Sequence, residues 1–188
     1  MSLFDDAEYK IEYLVNDMLH TEAEDSLLNL EQFRSPFQYR MKITRHNETK
    51  EEYVDLAETF QYLIGLSVIH QGNITYYHSA ADKNGSYEGA VHLTADADGE
   101  YGFRQIEGIL PDGRRALIIW RTITEDLLAS NAALDAYVRE ICSEAQMKAA
   151  DIIYVNGDNN LEDKSAGTAG CRIQRIEPEF KARMFEEG

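Results

Sequence analysis

The chain has 188 residues, enough for one ordinary domain with its own core, and its 44% hydrophobic content is that of a globular protein, not a disordered one. Eighteen basic side chains against thirty-four acidic ones give a net charge of −16, which argues against broad contact with a phosphate backbone, because that contact needs clustered Lys and Arg. The longest apolar runs, such as Ala116–Trp120, fall far short of the roughly 20 residues of a membrane span, and no basic start leads into an apolar stretch, so neither a membrane anchor nor a signal peptide is expected.

Residues 5–20 read as an amphipathic helix. Ile11, Leu14, Val15, Met18 and Leu19 form the apolar stripe, and Asp5, Asp6 and Glu8 sit in the first turn, where the helix dipole favours negative charge. Thr21–Ser26 reads as an acidic loop. After Pro36, Phe37, Tyr39, Met41 and Ile43 alternate with Gln38, Arg40, Lys42 and Thr44, a period-two pattern that predicts a half-buried strand over 37–44. A charged turn, Arg45–Glu51, leads to a short partner strand, Glu52–Val54. Asp55 and Glu58 have capping-box spacing, so a helix follows with Leu56, Phe60, Leu63 and Ile64 inward and Gly65 as its stop. Ser67–His78 and Tyr87–Thr94 are β-rich, with Asn84–Gly85 between them and the acidic loop Ala95–Glu100 after them. Tyr101–Leu110 and Arg114–Arg121 flank Pro111-Asp112-Gly113, a strong hairpin signal.

Ala116–Trp120 is apolar without alternation, which predicts a strand buried on both faces. Thr124 is expected to cap a long helix over 125–148, with Leu127, Leu134, Val138, Ile141 and Ala145 along one side. Ile152–Val155 is a second continuous apolar strand, so strand, helix and strand read as one right-handed βαβ unit. Asn156–Gly170 reads as a long polar loop, and Pro178 suits the first turn of a final helix with Phe180, Met184 and Phe185 apolar. The fold expected is a single α/β domain of mixed α+β character over 1–188: a central mixed sheet with a hairpin and one C-terminal βαβ unit, flanked by about four helices. Met1–Leu3 and Glu187–Gly188 carry no signal.

Absences narrow the chemistry. No G-x-G arrangement exists, so the dinucleotide fingerprint and its relatives are missing. Gly108 and Gly113 have P-loop spacing, but Arg114-Arg115 follows them where Lys and a hydroxyl residue would be needed. His20, His46, His70, His78 and His92 include no helical i, i+4 zinc pair, and no G-x-S-x-G elbow occurs. Asp96-x-Asp98-Gly99-Glu100 is too short for a calcium loop, and the other acidic runs read as solvated surface. Cys142 reads as a small core residue and Cys171 as a loop residue. Two cysteines make no disulfide framework, so a reducing cytoplasm is the simpler expectation, with a single 142–171 bridge as the alternative. No catalytic, cofactor-binding or metal-ligating residue is assigned.

One local signal is positive. The buried strand Ile152–Val155 ends in Asn156-Gly157-Asp158, and carboxyl ends of parallel strands often form ligand crevices. Arg121 and Thr122 would end the neighbouring strand close by. Arg121, Asn156 and Asp158 are therefore candidate crevice residues, the alternative being that they cap a tight turn. Arg114 and Arg115 are a candidate basic contact, with Arg172, Arg175, Lys181 and Arg183 making the tail locally less acidic.

Five blocks, taken together, resemble a known family. Ser26–Phe33 (SLLNLEQF) with Pro36–Ile43 (PFQYRMKI), Val54–Leu66 (VDLAETFQYLIGL), Gly113–Arg121 (GRRALIIWR), Tyr154–Asp158 (YVNGD) and Ile176–Phe185 (IEPEFKARMF) are similar, in order, to the region past the catalytic core of Mod-type adenine-specific DNA methyltransferases, the modification subunits of type III restriction–modification systems. The resemblance implies a parent enzyme that moves a methyl group from S-adenosylmethionine to adenine N6. That chemistry uses an Asp/Asn-Pro-Pro-Tyr/Phe tetrad and a glycine-rich cofactor loop, and neither occurs here: Pro36, Pro111 and Pro178 stand alone. Residues 71–105 show no match. The chain thus resembles a C-terminal accessory domain. Its implied partners are the catalytic core of the parent enzyme, the restriction subunit or a second copy, with DNA met mainly through the whole enzyme. The competing expectation is an independent module binding a small ligand or a protein at the Arg121/Asn156–Asp158 crevice.

Overall fold

In a computed structural model, the structure describes residues 32–45, 48–85, 87–161 and 172–185. The helix expected over 5–20, the loop 21–26, His20, His46 and Cys171 lie outside them. Two short 3-10 turns, Gln32–Arg34 and Pro36–Gln38, open the described chain. A two-stranded hairpin follows, β1 (Arg40–Arg45) and β2 (Glu48–Tyr53), paired antiparallel with Ile43 opposite Lys50. The strand expected over 37–44 therefore begins later, because Pro36 at the first position of a 3-10 turn carries 36–38 into helical geometry. The segment expected as the charged turn Arg45–Glu51 is mostly strand. Cross-strand pairing, which carries Lys42 opposite Glu51, overrides the local charge density that suggested a loop.

Asp55 caps α1 (Leu56–Leu63) as its spacing predicts, its carboxylate accepting from the Glu58 N–H at 3.0 Å. Gly65 then stops the helix at φ +64°, a left-handed conformation that favours glycine. The rest of the β structure is one seven-stranded mixed sheet: β3 (Ser67–Gln71), β4 (Thr75–Ala81), β5 (Val91–Ala95), β6 (Tyr101–Ile109), β7 (Arg115–Arg121), β8 (Ile152–Val155) and β9 (Arg172–Arg175). The order is β5-β4-β6-β7-β8-β9, and the long strand β6 also pairs with β3 through its C-terminal half. The β-rich run 67–78 is thus two strands, and the run 87–94 forms strand only from Val91.

Strands β7, β8 and β9 are mutually parallel, and α2 (Leu127–Glu140) and α3 (Glu144–Ala149) make the crossover from β7 to β8. The expected single helix over 125–148 is two helices. Asp126, not Thr124, caps the first, accepting from the Ala129 N–H at 3.0 Å, and Ser143 with Gln146 forms a full capping box that starts the second. The break leaves Ile141 exposed, and Leu127 is also partly exposed, so neither belongs to the inward stripe that continuous helical spacing suggested. Strand β9 and α4 (Ile176–Phe185) are the last described elements, with Pro178 in the first turn of α4. Among the described residues, no helix is long and apolar enough to cross a membrane.

The lack of alternation in β7 is explained by two cores. Ala116, Ile118 and Trp120 point to one face of the sheet, toward α1, α4 and Phe33. Leu117 and Ile119 point to the other, toward α2. On the first face the Phe60 ring stands edge-on to Trp120 at 6.1 Å and to Tyr154 at 5.3 Å, and stacks on Phe180 at 6.1 Å. Such aromatic contacts are worth about 0.5–1.5 kcal/mol each beyond the area they bury. Phe60→Ala should therefore cost roughly 3–5 kcal/mol in a urea titration followed by the fluorescence of Trp120. Glu88→Ala, at an exposed position, should stay within about 0.5 kcal/mol of the parent.

Candidate functional site

The parallel strands β7 and β8 end side by side, and the chain's most unusual side chain sits there. Arg121, the last residue of β7, is 0% exposed. Its guanidinium donates to three main-chain carbonyls: Nε to Asn156 at 3.2 Å, Nη1 to Ser130 at 2.9 Å and Nη2 to Asp158 at 2.9 Å. Among the described residues no carboxylate pairs with it directly. Burial lowers its pKa to about 10, opposed by the negative charge of Glu177, Asp135 and Asp158 nearby. It stays cationic at neutral pH and ties the first turn of α2 to the segment that follows β8 through their backbone.

Asn156, also fully buried, completes the cluster. Its Oδ1 accepts from the Arg121 N–H at 2.8 Å, and its Nδ2 donates to the Phe33 carbonyl at 2.8 Å and the Arg121 carbonyl at 2.9 Å. A side-chain amide is the group that can supply donors and an acceptor at once, here to strand β7 and to the 3-10 turn at Phe33. The neighbouring Gly157 has φ +79°, a left-handed conformation that favours glycine, and a Cβ there would press on the end of the Ile123 side chain. Its N–H donates to Glu177 Oε1 at 2.6 Å. Glu177 is 7% exposed, its Oε2 has no partner among the described residues, and burial raises its pKa.

Outside this cluster lies a pocket of about 450 Å³, within the size range of small-ligand sites. Ile123, Leu127 and Pro178 form its apolar wall, and its charged lining is Arg34, Arg175 and Lys181 with Asp158 and Glu177. Arg34 donates to the Thr124 carbonyl at 3.0 Å, and Arg175 pairs with Asp158. Glu177 and Gly157 form part of the floor. The chain matches no family model, no curated protein and no solved structure.

The candidate residues divide between these two places. Arg121 and Asn156 face the protein's own backbone and do not line the pocket, whereas Asp158 does. Arg114 and Arg115 lie at the opposite end of β7, about 20 Å of strand away. There Arg114 is tied to Asp112 at 2.7 Å across the hairpin turn, and the Arg115 N–H donates to Asp151 at 2.8 Å. His78 faces Asp96 at 3.7 Å and His92 faces Glu140 at 2.9 Å, both on the surface. No group of three potential metal ligands occurs among the described residues. Cys142 is buried on the α2 side, and desolvation lifts its thiol to about 12, far from the range of a nucleophile. Sequence reasoning missed Glu177 as a site residue. Its only signal was a carboxylate beside Pro178 in the first turn of the last helix.

A raised folded-state pKa means that Glu177 favours folding below the ordinary carboxylate range and loses that contribution as pH rises through its folded value. Glu177→Gln keeps an oxygen for the Gly157 N–H and removes the titration. In urea titrations at about pH 5 and about pH 8, the variant should gain stability relative to the parent at the higher pH. A stability difference that does not change with pH would contradict the assignment.

Proposed function

We propose that the chain is a non-catalytic C-terminal domain of a site-specific adenine-N6 DNA methyltransferase, serving to pack against the catalytic core, to join subunits or to position DNA or the restriction subunit. The observation that supports this reading is where the five family-like blocks meet. Phe33 comes from the first block, Phe60 from the second, Trp120 and Arg121 from the third, Tyr154, Asn156 and Gly157 from the fourth, and Glu177 and Phe180 from the last. Their rings and hydrogen bonds form one buried cluster.

A methyl-transferring core would bring the S-adenosylmethionine site and the proline-containing tetrad, and the cytoplasm would be the place of work. The strong acidity suits contact with protein better than with a DNA groove. The test is direct. The purified chain should transfer no tritiated methyl from S-adenosylmethionine to duplex DNA, and should co-elute with a Mod-type enzyme that lacks its own C-terminal domain. Methyl transfer by the chain alone, or no association with such a core, would contradict the reading.

A further inference from the structure

The pocket beside Glu177 is built for an occupant. It joins an apolar wall to three cations, of which Arg175 is paired with Asp158, and two carboxylates, Asp158 and Glu177, and Leu128 stands 83% exposed next to Leu127 at its edge. An exposed leucine pair beside a mainly apolar recess is surface that association would cover. Among the described residues Lys181 has no ion-pair partner, although Arg175 and Arg183 in the same segment each have one.

The chain's own sequence supplies a segment of matching chemistry. Residues 1–31 carry nine carboxylates against Lys10 alone, and the stripe predicted over 5–20 presents Ile11, Leu14, Val15, Met18 and Leu19 on one face. The described chain begins beside the pocket. The Phe33 carbonyl accepts from Asn156, the Arg34 carbonyl accepts from the Ile123 N–H at 2.7 Å, and the Arg34 side chain is part of the pocket wall. The eleven residues 21–31 can span up to about 36 Å, so the tether reaches the pocket at its own root with length to spare. Tethering at that range gives an effective concentration on the order of millimolar, which lets even a weak contact form.

We propose that the acidic amphipathic segment 5–20 docks over this pocket, its apolar stripe covering Ile123, Leu127, Leu128 and Pro178 and its carboxylates facing Arg34, Arg175 and Lys181. The inference rests on the pocket and the segment, not on the methyltransferase reading.

Hydrogen–deuterium exchange on the full chain tests it. Amides of residues 11–19 should exchange at least about tenfold more slowly than expected for an unstructured peptide. Leu127→Asp and Lys181→Glu should each remove that protection and leave the amides of β7 unchanged. Lys181 is exposed, so its variant tests the contact without threatening the core. Unprotected amides in the parent chain would overturn the proposal. So would protection that both variants leave intact, because the segment would then be held elsewhere.

Discussion

A fully buried arginine with no partnering carboxylate among the described residues is the constraint on which this structure depends. Taking a guanidinium out of water is costly, and the protein offsets that cost with three main-chain carbonyls from Ser130, Asn156 and Asp158. Each carbonyl belongs to a segment that has to turn: the first residues of α2, the end of β8 and the loop beyond it. Arg121 therefore fixes where the crossover helix starts and where the neighbouring strand stops. Asn156 extends the same cluster to Phe33, more than a hundred residues away in sequence, and Gly157 extends it to Glu177. Removing the arginine would take a donor from the buried Ser130 and Asn156 carbonyls and from the part-buried contact to Asp158, which makes the group structurally demanding whatever else it does.

The sheet explains why this cluster sits where it does. Parallel strands β7 and β8 carry their side chains into two separate cores, so nothing polar fits along their length. Polar groups can enter only at the strand ends. At the carboxyl end they form the Arg121–Asn156 cluster, and the space left between it and α4 is the pocket. At the other end the hairpin turn holds Arg114 and Arg115 in solvent. One strand thus separates a rigid, buried cation from two exposed ones, and charge alone would not have told them apart.

Much of this was legible in the sequence. The unbroken apolar runs at Ala116–Trp120 and Ile152–Val155 marked the buried parallel strands, the Asp55/Glu58 spacing marked a helix start, and Pro111-Asp112-Gly113 marked a hairpin. The carboxyl end of Ile152–Val155 was visible as the place for polar chemistry. What was not legible depended on contacts distant in sequence. Most of β2 looked like a charged turn because its pairing is cross-strand, and strand β9, which flanks β8, is too short and too charged to register. The division of the long helix turned on Ser143 and Gln146, a local capping signal weaker than the apolar periodicity running through it. Arg121 looked like a crevice residue because sequence shows that a charge stands at a strand end and not which way it points. Glu177 was silent for the same reason.

If Arg121 and Asn156 join the opening segment, the paired strands and the last helix into one unit, then hydrogen bonds at its edge should break only when the whole domain unfolds. Native-state hydrogen exchange at the Ile123 and Gly157 amides is the most direct measurement, since the first donates to Arg34 and the second to Glu177. Both amides should exchange with the same opening free energy as Ile118 and Ile119 in the centre of β7. Exchange through a local opening of markedly lower free energy would show that the segments are only neighbours, and the cluster would lose its place at the centre of the fold.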